Sequence, residues 1–91
     1  MKTLFLSTQY KKDYKRFRRN PGKVEALKEV LSMLQHELPI PAEYQPHKLL
    51  GQYKGCMECH IEDDYLLIWQ DPHSDIIELV RLGSHSELFG K

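Results

Sequence analysis

The chain has 91 residues, of which 41% are hydrophobic and 29% are charged, and its formal net charge is zero. This composition predicts one globular domain, residues 1–91, and excludes both the apolar-poor profile of a disordered chain and the run of about 18 apolar residues that a membrane-spanning helix needs. The apolar part of the N-terminus is too short for a secretory signal, so we expect a cytoplasmic protein without membrane contact, whose two cysteines are thiols.

The first half of the chain predicts one strand and two helices. Residues 4–6 are an apolar run that indicates a short strand, and a serine and a threonine follow it as candidate helix N-caps. The Asn-Pro-Gly sequence of residues 20–22 breaks the first helix. Apolar residues then recur at intervals of three and one over residues 24–34, which indicates a second, amphipathic helix. Residues 38–46 contain three prolines and predict an extended connector.

The first helix is predicted to be amphipathic and basic. Tyr10, Tyr14 and Phe17 fall on one face, which we expect to pack in the core. Residues 1–28 contain nine Lys/Arg and two acidic residues, whereas residues 29–91 contain four Lys/Arg and eleven acidic residues. This imbalance favours a polyanionic partner for the basic part, with a solvated helix face as the alternative. The candidates for phosphate contact on this helix are Lys11, Lys12, Lys15, Arg16, Arg18 and Arg19.

The second half of the chain has the pattern of strands. Residues 56–62 alternate between polar and apolar types, as in a half-buried strand, and the two aspartates of residues 63–64 mark a turn. Residues 65–69 are a continuous apolar run, typical of a central strand covered on both faces. A loop at residues 71–75 precedes the last strand at residues 76–82. The order β-α-α-β-β-β predicts an α+β fold, in which a two-helix hairpin packs on one face of a small antiparallel sheet.

One pentapeptide matches a haem-attachment motif, because Cys56, Cys59 and His60 have the C-x-x-C-H spacing. Covalent attachment of this kind requires export, and the sequence shows no export signal. Alternation along a strand also places the two cysteines on opposite faces. A zinc site would need a second close pair of ligands, and none is suitably spaced. We therefore expect no haem, no metal site and no other cofactor.

The C-terminal segment, residues 81–90, combines three kinds of side chain that RNA cleavage requires. Arg81 can bind a phosphate, His85 titrates near neutral pH, and Phe89 offers a flat ring for stacking. Taken by itself, His85 is more simply interpreted as a surface or helix-capping residue. Further candidates would have to be brought to this segment by the fold, namely His47, His60 and Asp64.

The sequence resembles the YafQ-like toxins of the RelE/ParE superfamily, which are ribosome-dependent mRNA endonucleases of bacterial type II toxin–antitoxin pairs. The resemblance extends over the whole domain, but its motifs lie at residues 38–55, 58–64 and 81–90. It implies a small sheet with two helices packed on it. The chain departs from the family at Met57, where an arginine is common, and this departure concerns phosphate binding more than the chemistry.

The resemblance implies roles for six residues in a metal-independent reaction. In this reaction the 2′-OH of the RNA attacks the adjacent phosphate and leaves a 2′,3′-cyclic phosphate and a 5′-hydroxyl. Our hypothesis is that His85 and Asp64 share the proton transfers, while His60 and His47 position or neutralise the phosphate. The remaining candidates are Arg81 for charge stabilisation, Phe89 for contact with the mRNA, and Lys48 and Lys54 for nucleic-acid binding.

The resemblance also implies partners and leaves alternatives. The expected partners are a cognate antitoxin, which would wrap the toxin with a flexible acidic segment, and the ribosome with its mRNA. One alternative is a ParE-like inhibitor of DNA gyrase, which acts by binding. Another is a catalytically inactive toxin-like protein that only binds an antitoxin.

Overall fold

The computed structural model describes residues 1–71 and 75–90. Five strands and three helices follow in the order β1 (Thr3–Leu6), α1 (Thr8–Lys15), α2 (Pro21–Gln35), β2 (His47–Lys48), β3 (Met57–Glu62), β4 (Tyr65–Gln70), β5 (Ile76–Gly83) and α3 (His85–Phe89). The predicted α+β class and the order of the longer elements are confirmed. Part of the loop predicted at 71–75, residues 72–74, lies outside the described residues.

The five strands form one sheet in the order β1-β5-β4-β3-β2. Strands β2 to β5 pair antiparallel, as predicted, but β1 pairs in parallel with β5. The sheet is therefore mixed. Two helices follow β1 before the next strand, so no tight hairpin forces β1 to run antiparallel to its neighbour. The prediction also lacked β2 and α3, and the proline-rich connector contains a 3₁₀ turn at Ala42–Tyr44.

Both helix starts carry the caps that the sequence indicates. The Ser7 side chain accepts from the backbone N–H of Tyr10 at the start of α1. Asn20 does the same for Lys23 at the start of α2, whose first residue is Pro21. These caps satisfy N–H groups that lack partners within the helix.

The helical hairpin covers one face of the sheet. Tyr10 of α1 and Leu27, Val30 and Leu34 of α2 are buried against this face. The sheet side chains in the same cluster are Cys59, Ile61, Tyr65, Leu67, Trp69, Ile77, Leu79 and Leu82. This is the main core, and it confirms the predicted apolar faces of both helices.

The opposite face of the sheet has a smaller core. Leu66 and Ile68 of β4 pack there with Cys56 and with Leu88 of α3. All of residues 65–69 are buried, which confirms the prediction of a central strand covered on both faces. The short helix α3 is therefore held against the sheet by its own apolar side chain. Within residues 1–71 and 75–90, no helix is long and apolar enough to cross a bilayer.

Candidate functional site

Three histidines and a phenylalanine lie in a row on the sheet face that α3 covers. The ring centroids of His47 and His60 are 6.2 Å apart, and those of His60 and His85 are 5.5 Å apart. Phe89 continues the row at 6.3 Å from His85. We call these four residues the ring row. Four of the residues predicted for the site are therefore brought together.

The register of the strands explains how the row forms. His47 of β2 pairs with Glu58 of β3, and His60 lies two residues further along the same strand. Because side chains two apart on a strand share a face, His47, Glu58 and His60 converge. The turn after β3 and the start of α3 then bring His85 to the other side of His60. A two-residue strand is thus sufficient to place His47.

Asp64 orients His85 through one carboxylate oxygen. Its Oδ1 accepts the backbone N–H of His85 at 2.9 Å and ring Nδ1 at 2.9 Å. These hydrogen bonds from the backbone and the ring of His85 lower the pKa of Asp64 below its ordinary value. An ionised carboxylate only accepts hydrogen bonds, so Nδ1 of His85 carries a proton and Nε2 is the nitrogen left for a substrate.

The position of α3 is fixed by a capping box. The Ser84 side chain accepts from the Glu87 backbone N–H, and the Glu87 carboxylate accepts from the Ser84 backbone N–H. Such reciprocal caps satisfy two donors that a helix start leaves open. His85 is the first residue of this helix. Its backbone is therefore held by the cap and by Asp64 together.

Glu58 is a buried carboxylate in the site that the sequence did not single out. Its side chain is 4% exposed, and Oε1 lies 3.1 Å from Nε2 of His47 and 3.8 Å from Nε2 of His60. Its Oε2 has no hydrogen-bond partner among the described residues. The alternation of residues 56–62 places Glu58 on the same face as His60, and this was the signal available for finding it.

The His47 ring lies between two oxygen atoms. Its Nδ1 is 2.7 Å from the carbonyl oxygen of Gln45, which can only accept, while Nε2 faces the Glu58 carboxyl at 3.1 Å. The same carboxyl oxygen lies 3.8 Å from Nε2 of His60. The Glu58 carboxyl is therefore placed next to both histidines, where it can exchange a proton with an imidazole ring.

Arg81 lies behind the ring row and not in it. Its Nε and Nη2 donate to the buried carboxylate of Asp13 at 2.7 and 3.3 Å, and Nη1 donates to the Tyr53 hydroxyl at 3.0 Å. The Tyr53 ring packs edge-on against Phe89, with centroids 5.7 Å apart. Arg81 is thus connected to the row through Tyr53. Neither Asp13 nor Tyr53 was among the predicted site residues.

The candidate phosphate-binding residues form two separate groups. Those of the first helical region are exposed, and Arg16 among them pairs with Asp13 and Glu87. Lys48 and Lys54 are also exposed, but they border a groove with Met57 and Asp71. Among the described residues, the other members of the first group have no ion-pair partner, and we call them the free set: Lys11, Lys12, Lys15, Arg18 and Arg19.

The two cysteines lie on opposite faces of the sheet, as predicted. Cys56 belongs to the smaller core and Cys59 to the main core. Burial raises the pKa of the Cys59 thiol to about 12. His60 contacts the other histidine rings instead. In the part of the chain that the structure describes, no three His, Cys, Asp or Glu side chains are grouped so that they could hold a metal ion.

Known proteins resemble this chain over nearly its whole length. It is 35% identical over 85 residues to the mRNA interferase toxin YafQ of Escherichia coli K12, covering 92% of this chain and 91% of that protein. The crystal structure of YafQ from E. coli BL21(DE3) superposes with a TM-score of 0.89 at 30% identity, covering 99% of this chain and 100% of that one. The crystal structure of the E. coli DinJ–YafQ complex superposes with a TM-score of 0.86 at 31% identity and the same coverage.

The family itself is established by a match to nearly every residue. The model described as the bacterial toxin of type II toxin-antitoxin system, YafQ, matches residues 2–90. This agrees with the resemblance seen in residues 38–55, 58–64 and 81–90. The chain therefore belongs to the YafQ family of type II toxin–antitoxin toxins.

Proposed function

We propose that this protein is an mRNA endoribonuclease that cuts RNA on the ribosome by attack of the 2′-OH on the adjacent phosphate. The observation that carries the proposal is the Asp64–His85 pair, whose imidazole lies 5.5 Å from the His60 ring. A carboxylate that orients an imidazole is a recurrent arrangement for proton transfer. The name of the E. coli relative, an mRNA interferase, supports the same activity.

His85 transfers one of the two protons of the reaction. Asp64 holds Nδ1, so Nε2 is the ring nitrogen that meets the substrate in this reaction. Asp64 remains ionised at neutral pH because its pKa is lowered, and it therefore orients His85 and stabilises the charged ring instead of donating a proton itself. Such a proton transfer contributes roughly 10²–10⁴-fold to the rate.

The second proton transfer is assigned to His47 and Glu58, at the His47 end of the ring row. The reaction removes a proton from the 2′-OH and adds one to the departing 5′-oxygen, so two groups on opposite sides of the phosphate are needed. His47 and the Glu58 carboxyl, 3.1 Å apart, lie on the far side of His60 from His85 and can act as the second proton-transfer group. A phosphate bound at His60 would then have a proton-transfer group on each side, as an in-line displacement requires.

Phe89 and Arg81 complete the site. Phe89 ends the ring row and is held edge-on by Tyr53, which leaves a flat surface for an unstacked base. Arg81 supplies positive charge behind the phosphate through the Nη1 side of its guanidinium, where it meets Tyr53. The exposed lysines and arginines of the first helical region contact ribosomal or messenger phosphates.

The protein also binds a cognate antitoxin. Support comes from the E. coli complex in which the relative YafQ is bound to DinJ. The antitoxin is expected to carry an acidic segment, because residues 1–28 have a large excess of basic side chains. Binding of such a segment over the basic helix would compete with RNA.

A cleavage assay tests the proposal directly. Purified protein is added to ribosomes programmed with a defined mRNA, and the ends of the products are mapped and analysed chemically. We expect cuts that leave 2′,3′-cyclic phosphate and 5′-hydroxyl ends, and a loss of about 10²–10⁴-fold in rate for His85→Gln. The matched control is His36→Gln, since His36 lies at the end of α2, away from the ring row.

Two other results would reject the proposal. A wild-type protein that leaves mRNA intact and traps DNA gyrase would be a gyrase inhibitor. A protein that does neither and only binds an antitoxin would be an inactive relative. A His85→Gln variant that cuts at the wild-type rate would exclude His85 from the chemistry even if cleavage itself is found.

A further inference from the structure

Asp13 of α1 is the most completely enclosed charged group among the described residues. Its side chain is 0% exposed, although it belongs to a short helix whose other sides are basic. Five donors from four residues reach it. They are Gln9 Nε2 at 3.2 Å, Arg16 Nη2 at 3.1 Å, Arg81 Nε at 2.7 Å and Nη2 at 3.3 Å, and Leu82 N at 3.0 Å.

The strand pairing explains why a carboxylate occupies this place. β1 pairs with β5 only as far as Leu6 opposite Leu79, and β5 continues to Gly83. Along the rest of this edge β5 faces α1, and the backbone N–H of Leu82 donates to Asp13 where a strand carbonyl would otherwise accept. A buried backbone N–H without an acceptor is costly. The Asp13 carboxylate therefore takes the place of the carbonyl oxygen that a neighbouring strand would supply at this edge.

The same carboxylate fixes the orientation of Arg81. Two nitrogens on one side of the guanidinium, Nε and Nη2, donate to Asp13, and the opposite nitrogen, Nη1, points to Tyr53 and so towards Phe89. Two-point binding of a guanidinium by a carboxylate sets its plane as well as its position. Nη1 is then the part of Arg81 that faces Tyr53, which packs on Phe89 of the ring row.

We propose that Asp13 is a positioning residue for the proposed nuclease reaction, which it serves by presenting the Nη1 side of Arg81 to the scissile phosphate. Arg81 then acts as a fixed, directed donor and stays bound to Asp13 when RNA binds. This inference rests on the proposed function, since it gives Arg81 a phosphate to stabilise. It adds a residue from α1 to a site otherwise built from the sheet and α3.

Asp13 and Arg81 favour each other's charged form, as the shifts in their pKa values show. Burial alone would raise the pKa of Asp13, but hydrogen bonds from Arg81, Leu82 and Gln9 outweigh burial and lower it. The hydrogen bond to Asp13 in turn raises the pKa of Arg81. Both groups are therefore charged near neutral pH.

A second contact extends the effect of Asp13 to α3. Arg16 donates to Asp13 through Nη2 and pairs with Glu87 through Nε at 3.0 Å. Glu87 belongs to the capping box of α3, which carries His85. Asp13 thus touches both Arg81 and the arginine that holds the capping residue. Loss of its charge would loosen two supports of the site without removing any group that touches RNA.

A double-mutant cycle on cleavage separates positioning from mere stability. Rates are measured for wild type, Asp13→Asn, Arg81→Met and the double variant, at a temperature where circular dichroism shows all four folded. We expect Asp13→Asn to lower kcat about 10–100-fold, the size of effect that misplacing a reacting group produces. KM should change less than about 2-fold, because Asp13 is buried away from RNA. In the Arg81→Met background the Asp13→Asn change should lower kcat by a much smaller factor, because only the contact through Arg16 to Glu87 then remains.

The control is Val30→Ala, a buried change in α2 that lowers stability and should leave kcat unchanged. The positioning role is overturned if Asp13→Asn leaves kcat intact. It is also overturned if Asp13→Asn lowers kcat equally in both backgrounds, or if Val30→Ala lowers kcat as much. A wild-type protein that cuts no RNA would instead reject the proposed function, so the two failures are distinguishable.

One measurement uses the wild-type protein and does not depend on variant folding. The Arg81 Nε–H resonance is followed by NMR while a fully 2′-O-methylated RNA oligonucleotide, which cannot be cut, is added. We expect the resonance to be protected from exchange before the addition and to stay protected after it. Loss of protection on RNA binding would show that Arg81 leaves Asp13 to reach the phosphate, which contradicts the inference.

Discussion

The carboxylates of Asp64, Glu58 and Asp13 differ in burial, so we expect their replacement to change stability by different amounts. Asp64 is exposed and orients His85. Glu58 is buried, and one of its oxygens has no hydrogen-bond partner among the described residues, whereas Asp13 is buried and accepts hydrogen bonds from four residues. Removing one partner of a buried ion pair costs about 3–5 kcal/mol, far more than an exposed pair contributes. We therefore expect Asp13→Asn to be the most destabilising of the conservative carboxylate changes at neutral pH.

The pH dependence of stability should reveal Asp13. Its folded-state pKa lies below the ordinary value of 3.8, so its contribution to stability is complete above that pH and is lost as the pH falls through the lower, folded value. Urea midpoints measured from pH 6 to pH 2 should fall steeply below about pH 4 for the wild type and less steeply for Asp13→Asn. Asp63→Asn, in an exposed turn, serves as the control. Equal slopes for wild type and Asp13→Asn would contradict this assignment.

At the scale of elements, the basic face of the first helical region is divided. Arg16 is engaged with Asp13 and Glu87, so it supports the fold, whereas its exposed neighbours have charge to offer a polyanion. The distinction matters for mutagenesis, because a variant that includes Arg16 would confuse lost stability with lost binding. The free set is Lys11, Lys12, Lys15, Arg18 and Arg19.

Neutralising the free set should weaken binding to programmed ribosomes and flatten its salt dependence. Each lost contact with single-stranded RNA should reduce the slope of log K against log salt by roughly 0.7. Binding is measured for the glutamine variants between low and physiological salt. Lys28→Gln, on the exposed side of α2 beside Glu25, is the control and should leave the slope unchanged. An unchanged slope in the free-set variants would show that this face is only solvated.

The elements that sequence patterns predicted were the long ones. The unbroken apolar run of residues 65–69 predicts β4, and the spacing of apolar residues predicts α2, since both patterns extend over several residues. β2 has two residues and α3 has five, too few to show a period. The parallel pairing of β1 with β5 joins residues more than 70 positions apart, and nothing local encodes it.

The candidate site, like the fold, could be predicted from the sequence only in part. The resemblance to the family identified His47, His60, Asp64 and His85, and the structure brings them together. The sequence does not indicate Glu58, because charged residues on a strand usually face solvent. Asp13 is one acidic residue in a basic helix, and its burial depends on how far β1 extends along β5. Such burial arises from tertiary packing and has no signature in the sequence.

At the scale of the whole molecule, the sheet separates the face with the larger core from the face with the proposed site. The helical hairpin fills one face with the larger core, and the ring row with α3 occupies the other. Leu27 of α2 and Leu88 of α3 are both buried, each at 2% exposure, on these opposite faces. The two leucines therefore provide a matched comparison of what each face does.

Leu27→Ala and Leu88→Ala should each lower the free energy of unfolding by about 2–5 kcal/mol. Only Leu88→Ala should also abolish cleavage under conditions where both variants are folded, because Leu88 holds the helix that carries His85 and Phe89. Urea denaturation gives the stabilities, and the ribosome cleavage assay gives the activities. Loss of activity in Leu27→Ala alone would mean that the faces are not separable in this way.

A single oxygen of Asp64, Oδ1, accepts hydrogen bonds from both the backbone N–H and the ring Nδ1 of His85. If α3 frays, His85 and the hydrogen bonds that orient its ring are therefore lost together, while the larger core is left in place. A chain that ends after Gly83 should keep the larger core, but it would lose Leu88 from the smaller core together with His85 and Phe89, and it should no longer cut RNA.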